Sequence, residues 1–226
     1  MTVYFSDADI LASRRRPRVR AHSGTLTPGC FRPVTGRDRV VDRSYTDGVT
    51  LMTRLRQHRY VRRLRPMTVG RWTECLGTPL ITATDAVAGD AFRVHSLGAT
   101  TVIKGGGRLR FGDDVYLNSG VRIVCRQEVT IGSHVLIGFG AVILDSDQHP
   151  VGDAPVRTLP VRIGDGSWIA ANAIILPGVT VGRRSIVGAG SVVTGDVPDE
   201  VVVAGNPARV VRQLSLPPDH KTAFGH

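Results

Sequence analysis

The chain has 226 residues, a formal net charge of +10, 26 glycines and only 5% aromatic residues. This length allows one large domain or two small ones, and the scarcity of aromatic residues argues against a conventional helical or sandwich core. No apolar run is long enough to cross a bilayer, for which about 18 residues are needed. At the N-terminus the charges follow the apolar residues, which is the reverse of a secretory signal. These features predict a cytoplasmic protein.

The three cysteines, Cys30, Cys75 and Cys125, are widely spaced and odd in number. This indicates reduced thiols, since neither a disulfide framework nor a CxxC metal site has such spacing. The positive charge is concentrated in residues 1–90, which hold 16 basic and 8 acidic residues. A basic half can indicate a nucleic-acid or membrane partner, but no basic-aromatic module is present. We therefore expect no nucleic-acid partner.

Residues 1–90 are interpreted as a basic N-terminal extension or cap. An Arg-, Pro- and Gly-rich stretch is followed by one predicted amphipathic helix over 47–65, which Asp47 can cap. Leu51, Leu55 and Leu64 lie towards one side of this helix. A basic amphipathic helix can lie on an anionic membrane, or it can cover an exposed β edge that would otherwise invite aggregation. We favour the cap and leave membrane contact as the alternative.

From residue 111 onward, aliphatic residues recur at every sixth position. The series slips by two residues after its third member and is interrupted after its sixth by a polar stretch, ILDSDQHPVG, at 143–152. The residue after each aliphatic is repeatedly small, as at Gly132 and Gly164. The registered positions are Phe111, Leu117, Ile123, Ile131, Ile137, Ile143, Ile163, Ile169, Ile175, Val181, Val187 and Val193.

A period of six fits neither an amphipathic helix nor a two-faced strand, but it is the repeat of hexapeptide β-helices. Each hexad forms one side of a triangular coil, with the aliphatic side chain inside, and neighbouring coils stack through backbone hydrogen bonds. The sequence therefore predicts an all-β, parallel β-helix over 91–214, with four regular coils, one imperfect coil before them, and a tail over 215–226. A Gly-rich β-sandwich is the weaker alternative, because the period runs unbroken from Ile163.

The polar stretch is the candidate functional loop. Twenty residues separate Ile143 from Ile163, which is one coil plus two residues, so we expect a projecting loop to replace regular sides. Functional residues are concentrated on loops held by a rigid scaffold. The loop contains His149, and the following Pro150 restricts the local backbone.

Three motifs, DQHPV, WIAAN and AGNPARVVR, accompany the hexads in this order. With them, residues 97–214, about half of the chain, resemble the hexapeptide-repeat acetyltransferases. The nearest branch is that of the galactoside, maltose and nodulation-factor O-acetyltransferases. The resemblance implies a left-handed β-helix that assembles as a homotrimer. It also implies that acetyl-coenzyme A binds in the groove between adjacent subunits.

The resemblance assigns His149 as the catalytic base. A neutral imidazole has a pKa near working pH and can take the proton of an acceptor hydroxyl as it attacks the thioester. Asp145 and Asp147 could orient this imidazole or bind acceptor hydroxyls, or they could hydrogen-bond the local backbone. The implied acceptor-binding residues are Tyr116, Asn118 and Asp147. The implied cofactor-binding residues are Trp168, Ala171, Ala189, Thr194, Gly195, Arg209 and Arg212.

One departure from the family pattern bears on the substrate. The galactoside enzymes have an acidic acceptor ligand where this chain has Arg126. The missing carboxylate argues against a simple galactoside acceptor and leaves open an acidic or differently hydroxylated one.

The leading hypothesis is an acetyl-coenzyme A-dependent O-acetyltransferase acting on a sugar, a glycan or another small hydroxylated molecule. N-acetylation of an amino sugar remains open, because the same base would serve an amine. A non-catalytic scaffold or sugar-binding β-helix also explains the hexads, but it does not explain the three motifs. A γ-class carbonic anhydrase is set aside, because its zinc site needs three histidines, two of them close in sequence, and His134 and His149 lack a partner at such spacing. We expect no metal.

Overall fold

The computed structural model describes residues 62–223. Within them, short strands alternate with tight corners along the whole chain. The strands are β1 Thr68–Val69, β2 Glu74–Gly77, β3 Leu80–Ile81, β4 Asp85–Ala88, β5 Arg93–Ser96, β6 Val102–Lys104, β7 Arg108–Phe111, β8 Tyr116–Leu117, β9 Arg122–Val124, β10 Glu128–Ile131, β11 Leu136–Ile137, β12 Val142–Leu144, β13 Val161–Ile163, β14 Trp168–Ile169, β15 Ile174–Ile175, β16 Thr180–Val181, β17 Ile186–Val187, β18 Val192–Val193, β19 Val201–Gly205 and β20 Ala208–Gln213.

Every third strand joins the same sheet, which is the topology of a parallel β-helix with three faces. Sheet A has the order β1-β4-β7-β10-β13-β16, and sheet C has the order β3-β6-β9-β12-β15-β18. Sheet B runs β2-β5-β8-β11-β14-β17-β19-β20, and only its last pair is antiparallel. The predicted all-β, parallel β-helix is confirmed.

The six-residue period places its aliphatic residues inside the prism. Ile137 pairs with Ile169 in sheet B, and Ile143 pairs with Ile175 in sheet C, so like residues stack along the axis. All twelve registered residues are buried, with at most 5% of their surface exposed. A glycine follows six of the twelve and fits the close approach of the next coil. A Cβ at Gly138, for example, would lie 2.7 Å from the backbone nitrogen of Ala171.

The coils begin N-terminal to the region where the period becomes readable. Strands β1 to β4 lie at 68–88 and belong to the same three sheets, so the described chain makes six coils, whereas the period predicted four and an imperfect fifth. The inward residues of these first coils include Cys75, Ala86 and Ala88, all buried. Such small residues do not form a regular aliphatic series. The six-residue pattern therefore placed the start of the β-helix too late in the chain.

The predicted helix over 47–65 lies almost entirely outside the described residues. Among the helices in the described part of the chain, none has the length and apolar character needed to span a membrane.

The polar loop lies at one corner of the prism and replaces no side. Ile143 lies on β12, in sheet C. The next strand, β13, belongs to sheet A and contains Ile163, which pairs with Ile131. The prediction that the loop would replace regular sides was therefore wrong. Consecutive sides are preserved because Ile131 and Ile163 still stack, and the extra residues leave the prism at the corner.

The outward residues of sheets A and C differ in character. On sheet A they are mainly charged or hydroxylated, and they include Asp85, Arg108, Arg110, Glu128, Thr130, Arg162 and Thr180. On sheet C they form an apolar row broken by one arginine, which consists of Leu80, Val102, Arg122, Val142, Ile174 and Val192. Leu80 at the end of this row is 54% exposed.

Candidate functional site

The loop over 145–160 folds back on itself and projects from the corner between sheets C and A. Antiparallel bridges join Ser146 to Thr158 and Val151 to Ala154. The backbone N–H of Leu159 donates to the carbonyl of Asp145 at 2.8 Å, which closes the base of the loop. Residues 149–157 are all exposed. The loop is therefore tied at its base and open to solvent at its tip.

Asp145 fixes this base. Its side chain is fully buried, and its carboxylate accepts hydrogen bonds from three consecutive backbone N–H groups. The shortest N–O distances are 2.7 Å to Arg126, 2.6 Å to Gln127 and 2.9 Å to Glu128. Of the roles left open by the sequence, Asp145 therefore takes that of a backbone ligand, but for the preceding coil rather than for its own turn. It stabilises the corner where the hexad series slips by two residues.

Asp147 is held by a neighbour within the loop. Its carboxylate accepts from the Arg157 guanidinium at 3.2 and 3.3 Å, and its backbone N–H donates to the Arg157 carbonyl at 3.0 Å. Both side chains are partly exposed, with 27% and 52% of their surface accessible. The predicted acceptor ligand Asp147 therefore braces the loop in this structure.

His149 follows a residue with an unusual backbone. Gln148 has φ +67°, and its side-chain amide donates to the carbonyl of Ser146 at 3.1 Å. Left-handed backbone in a residue other than glycine is uncommon and concentrates at turns and functional sites. The turn delivers the exposed His149 and Pro150 to the outside of the loop.

A cavity of about 660 Å³ lies beside this turn. It is lined by polar side chains from three successive coils and from the loop, namely Thr82, Thr84, Lys104, Arg126, Gln148 and Thr158. Of these, the sequence singled out only Arg126, and then only as a departure from a family pattern. The signal available for the others was the triple glycine at 105–107, which interrupts the coil next to Lys104 and leaves room for the cavity.

Two of the predicted site residues, Tyr116 and Trp168, lie on the outer surface of sheet B. The Tyr116 hydroxyl lies 2.5 Å from Nδ1 of His95, and the two rings meet edge to face with centroids 4.7 Å apart. The Arg93 guanidinium lies 5.5 Å from the centre of the Tyr116 ring, within the range of a cation–π contact. Trp168 is half-buried and pairs in register with Leu136 and Ile186.

Three more predicted residues lie at the corner between sheets B and C. Asn118 is buried, and its backbone carbonyl accepts from the Thr101 hydroxyl at 3.1 Å. Ala171 and Ala189 follow β14 and β17 at this corner, and the backbone N–H of Gly190 donates to the Ala171 carbonyl at 2.9 Å. Ala171 is half-buried and Ala189 is exposed, so this edge presents little side-chain bulk.

The remaining predicted residues are exposed at the C-terminal end of the solenoid. Thr194 and Gly195 follow β18 at the corner between sheets C and A, which is also the corner of His149. Arg209 and Arg212 lie on β20, the antiparallel edge strand of sheet B. The predicted cofactor residues are thus spread over two corners and one face of the prism. A single chain does not gather them around His149.

Metal binding has no support in the described residues. Between residues 62 and 223, no group of three or more His, Cys, Asp or Glu side chains is placed to hold an ion. His134, which the carbonic anhydrase hypothesis would need, has its Nδ1 atom 3.0 Å from an Asp114 oxygen.

Comparison with known proteins extends these observations. Residues 160–195 match the family model described as bacterial transferase hexapeptide (six repeats). The chain is 40% identical over 115 residues to galactoside O-acetyltransferase of Escherichia coli strain K12, which covers 49% of this chain and 56% of that protein. The chain thus spans about half the length of the curated relatives it matches.

Solved structures give the same picture. A hexapeptide-repeat acetyltransferase from Vibrio cholerae superposes with a TM-score of 0.50 at 25% identity, covering 76% of this chain and 90% of that one. A galactoside acetyltransferase in complex with coenzyme A has 27% identity and a TM-score of 0.49, covering 74% and 79% of the two chains. The family model, the 40% identity and the Vibrio cholerae structure together confirm, for the β-helix of this chain, the resemblance to the hexapeptide-repeat acetyltransferases that the motifs indicated.

Proposed function

We propose that this protein is an acetyl-coenzyme A-dependent O-acetyltransferase that acts on a hydroxyl of a sugar, a glycan or another small hydroxylated acceptor, with His149 as general base. The observation that carries the proposal is the position of His149. It is exposed on a tied loop, directly after a residue that lines a polar cavity. The 40% identity to an O-acetyltransferase supports the reaction type.

The proposed reaction needs one base and no covalent enzyme intermediate. The neutral imidazole of His149 takes the acceptor proton while the hydroxyl oxygen attacks the thioester carbonyl. The tetrahedral intermediate then expels the coenzyme A thiolate, which receives the same proton. The products are the acetyl ester and free coenzyme A, so each turnover releases one thiol.

We further propose that the active form is a homotrimer with its sites between subunits. The predicted cofactor residues lie at two corners and on one face of a single prism. A groove between two prisms would bring residues from different corners together. The apolar row on sheet C supports contact with a second copy, because Leu80, Val102 and Ile174 point outward from the prism. Closed rotational symmetry would then repeat one site three times. Left-handed winding and a cytoplasmic location stay predictions.

The test is thiol release from acetyl-coenzyme A in the presence of a panel of sugars and hydroxylated small molecules. We expect acceptor-dependent release that falls by about 10²–10⁴-fold in His149→Ala, the usual contribution of a general base. Asp153→Asn, at another exposed position of the same loop, is the matched control and should retain wild-type activity.

Two results would contradict the proposal. Turnover that survives His149→Ala would remove the assigned base. No turnover and no coenzyme A binding by calorimetry would favour the scaffold hypothesis. For the assembly, light scattering should give the mass of three chains, and a fully active monomer would refute the shared site.

A further inference from the structure

The cavity beside His149 has a one-sided charge. Among residues 62–223, the ionisable side chains that line it are Lys104 and Arg126, and no carboxylate of this range lines it. The other polar lining groups are hydroxyls and an amide, contributed by Thr82, Thr84, Thr158 and Gln148. Hydroxyls and amides can bind either a neutral sugar or an anion, whereas two cations without a counter-charge favour an anion.

Arg126 is held with its terminal nitrogens available. Its backbone N–H is bound by Asp145, and its Nε donates to the Gln148 side-chain oxygen at 3.3 Å. Within residues 62–223, neither terminal guanidinium nitrogen makes a hydrogen bond or an ion pair. Gln148 therefore fixes the Arg126 side chain against the turn that carries His149. The free edge of a guanidinium fits the two oxygens of a carboxylate or a phosphate.

Lys104 is the second cation. It ends β6, pairs in register with Val124, and is exposed. No acidic partner for its ammonium group is found in the part of the chain that the structure describes. A lysine of this kind acts as a point charge beside the more directional arginine.

Between residues 62 and 223, the nearby carboxylates make no hydrogen bond with the side chains of these two cations. The Asp145 oxygens already accept from three backbone N–H groups, and the Asp147 oxygens accept from Arg157. Their hydrogen-bonding capacity is directed away from the two cations. Among the described residues, the side chains of Lys104 and Arg126 thus have no carboxylate partner, although the charge of the buried Asp145 lies close to the Arg126 backbone.

Glycines keep the cavity open. Gly105 has φ +128°, and a Cβ there would lie 1.8 Å from the Cys125 carbonyl oxygen, so the backbone requires glycine. Gly106 is different. Its φ is not in the left-handed region, and a Cβ would meet only the Thr84 hydroxyl, at 4.0 Å. A side chain at Gly106 would therefore project into the cavity without strain.

We propose that this cavity binds an anionic group of the acceptor, either a carboxylate or a phosphate monoester. The acceptor would then be an acidic sugar, a sugar phosphate or a comparable hydroxylated anion, and Arg126 and Lys104 would position its hydroxyl near His149. This assignment of the substrate class rests on the proposed acetyltransferase function. The binding of the anion itself does not, because it requires no acetyl donor.

Binding is tested first, without acetyl-coenzyme A. The probes are glucuronate for the carboxylate, glucose 6-phosphate for the phosphate, and glucose as the neutral reference, followed by ligand-observed NMR. We expect at least one anionic probe to bind tenfold or more tightly than glucose, with an affinity that falls as NaCl is raised. The anion that binds more tightly identifies the preferred group.

Variants assign the effect to the cavity. Arg126→Gln and Lys104→Gln should each weaken anion binding about three- to tenfold without changing glucose binding. Arg126→Lys should retain part of the preference, since it keeps the charge. Arg162→Gln, which removes an exposed arginine on sheet A, is the matched control and should have no effect. Gly106→Leu should abolish binding by filling the cavity.

The turnover assay then connects the cavity to the reaction. With the anionic acceptor, Arg126→Gln should raise KM with little change in kcat, whereas His149→Ala should lower kcat. Equal binding of glucose and both anions, or an anion preference that survives Arg126→Gln with Lys104→Gln, would overturn the assignment. If anion binding follows the predictions but thiol release and coenzyme A binding are both absent, the cavity assignment stands and the acetyltransferase proposal fails.

Discussion

The regular coil over 161–175 and the interruption over 145–160 show two ways of using residues in the same prism. In the coil, each registered aliphatic is buried and each corner is short. In the interruption, the buried side chains are the polar Asp145 and Ser146, and residues 149–157 are exposed. The comparison shows that the scaffold is held by apolar stacking, whereas the loop is held by hydrogen bonds at its base.

This difference separates stability from chemistry. A corner of the prism tolerates an insertion because Ile131 and Ile163 stack across it as they would without the loop. The inserted residues are then free of the six-residue period and can carry polar groups. The cost of burying the Asp145 carboxylate is offset by its three backbone ligands.

The largest expected effect is a core truncation in the regular coil. Ile169 is fully buried and stacks between Ile137 and Val187. Ile169→Ala should lower the free energy of unfolding by about 2–5 kcal/mol, through lost burial and an unfilled cavity. Urea denaturation at a fixed protein concentration measures this loss.

Val151→Ala in the loop, where the side chain is 72% exposed, is the control, and it should change the free energy of unfolding by no more than about 0.5 kcal/mol. Equal losses would contradict the division between scaffold and loop.

The second effect concerns the base of the loop. Asp145→Ala would leave three backbone N–H groups without their acceptor, and we expect a loss of about 2–4 kcal/mol in the free energy of unfolding. Asp145→Asn keeps one acceptor oxygen and should lose less.

The matched comparison is Asp147→Ala in the same loop. Its partly exposed pair with Arg157 should contribute less than about 1 kcal/mol. Denaturation curves for both aspartate variants would show which substitution lowers the free energy of unfolding more. If Asp147→Ala were the more damaging substitution, the loop would be held by its tip rather than by its base.

The smallest effect is a pH dependence set by buried thiols. Burial, and next the charge of Asp145, raise the pKa of Cys125 from its ordinary value of 9.0 to about 12, and burial raises that of Cys75 to about 11. The folded protein keeps these protons at a pH where the unfolded chain loses them. Stability should therefore decline as pH rises from about 9 towards 11–12.

Denaturation midpoints at pH 8 and pH 10 would measure this decline. Cys125→Ala lacks one of the titrating thiols and should show a shallower decline than the wild type. An identical pH dependence in the two proteins would show that Cys125 does not contribute. Because Asp145 helps to raise this pKa, Asp145→Asn should make Cys125 more reactive towards iodoacetamide at pH 9.

Much of the β-helix could be predicted from the sequence. The repeat of Ile163, Ile169 and Ile175 identified the three-sided coil, because each side of the coil has six residues and places one aliphatic side chain inside the prism. The first coils were missed, since Cys75, Ala86 and Ala88 fill the interior without forming an aliphatic series. The position of the loop was predicted, but the count of residues suggested replaced sides, where the structure has an insertion at a corner.

The site was predictable only in part. The motifs identified His149, whose assigned role stays a prediction, and they brought Asp147 into consideration. They could not show that Asp145 binds the backbone of 126–128, because that contact joins two coils. They also could not bring Lys104 and Arg126 together in one cavity, because the number of residues between them does not show which positions of neighbouring coils lie side by side.

What the sequence by itself determined is thus the repeating scaffold, since burial of a periodic aliphatic residue is a local rule applied many times over. What only the tertiary structure decided is which polar residues meet at a corner. Those contacts depend on the stacking of neighbouring coils, which continues across both the two-residue slip before Ile131 and the insertion before Ile163, so that the added residues collect at one corner. The cationic cavity beside Gln148 lies at that corner, where three stacked coils meet the loop.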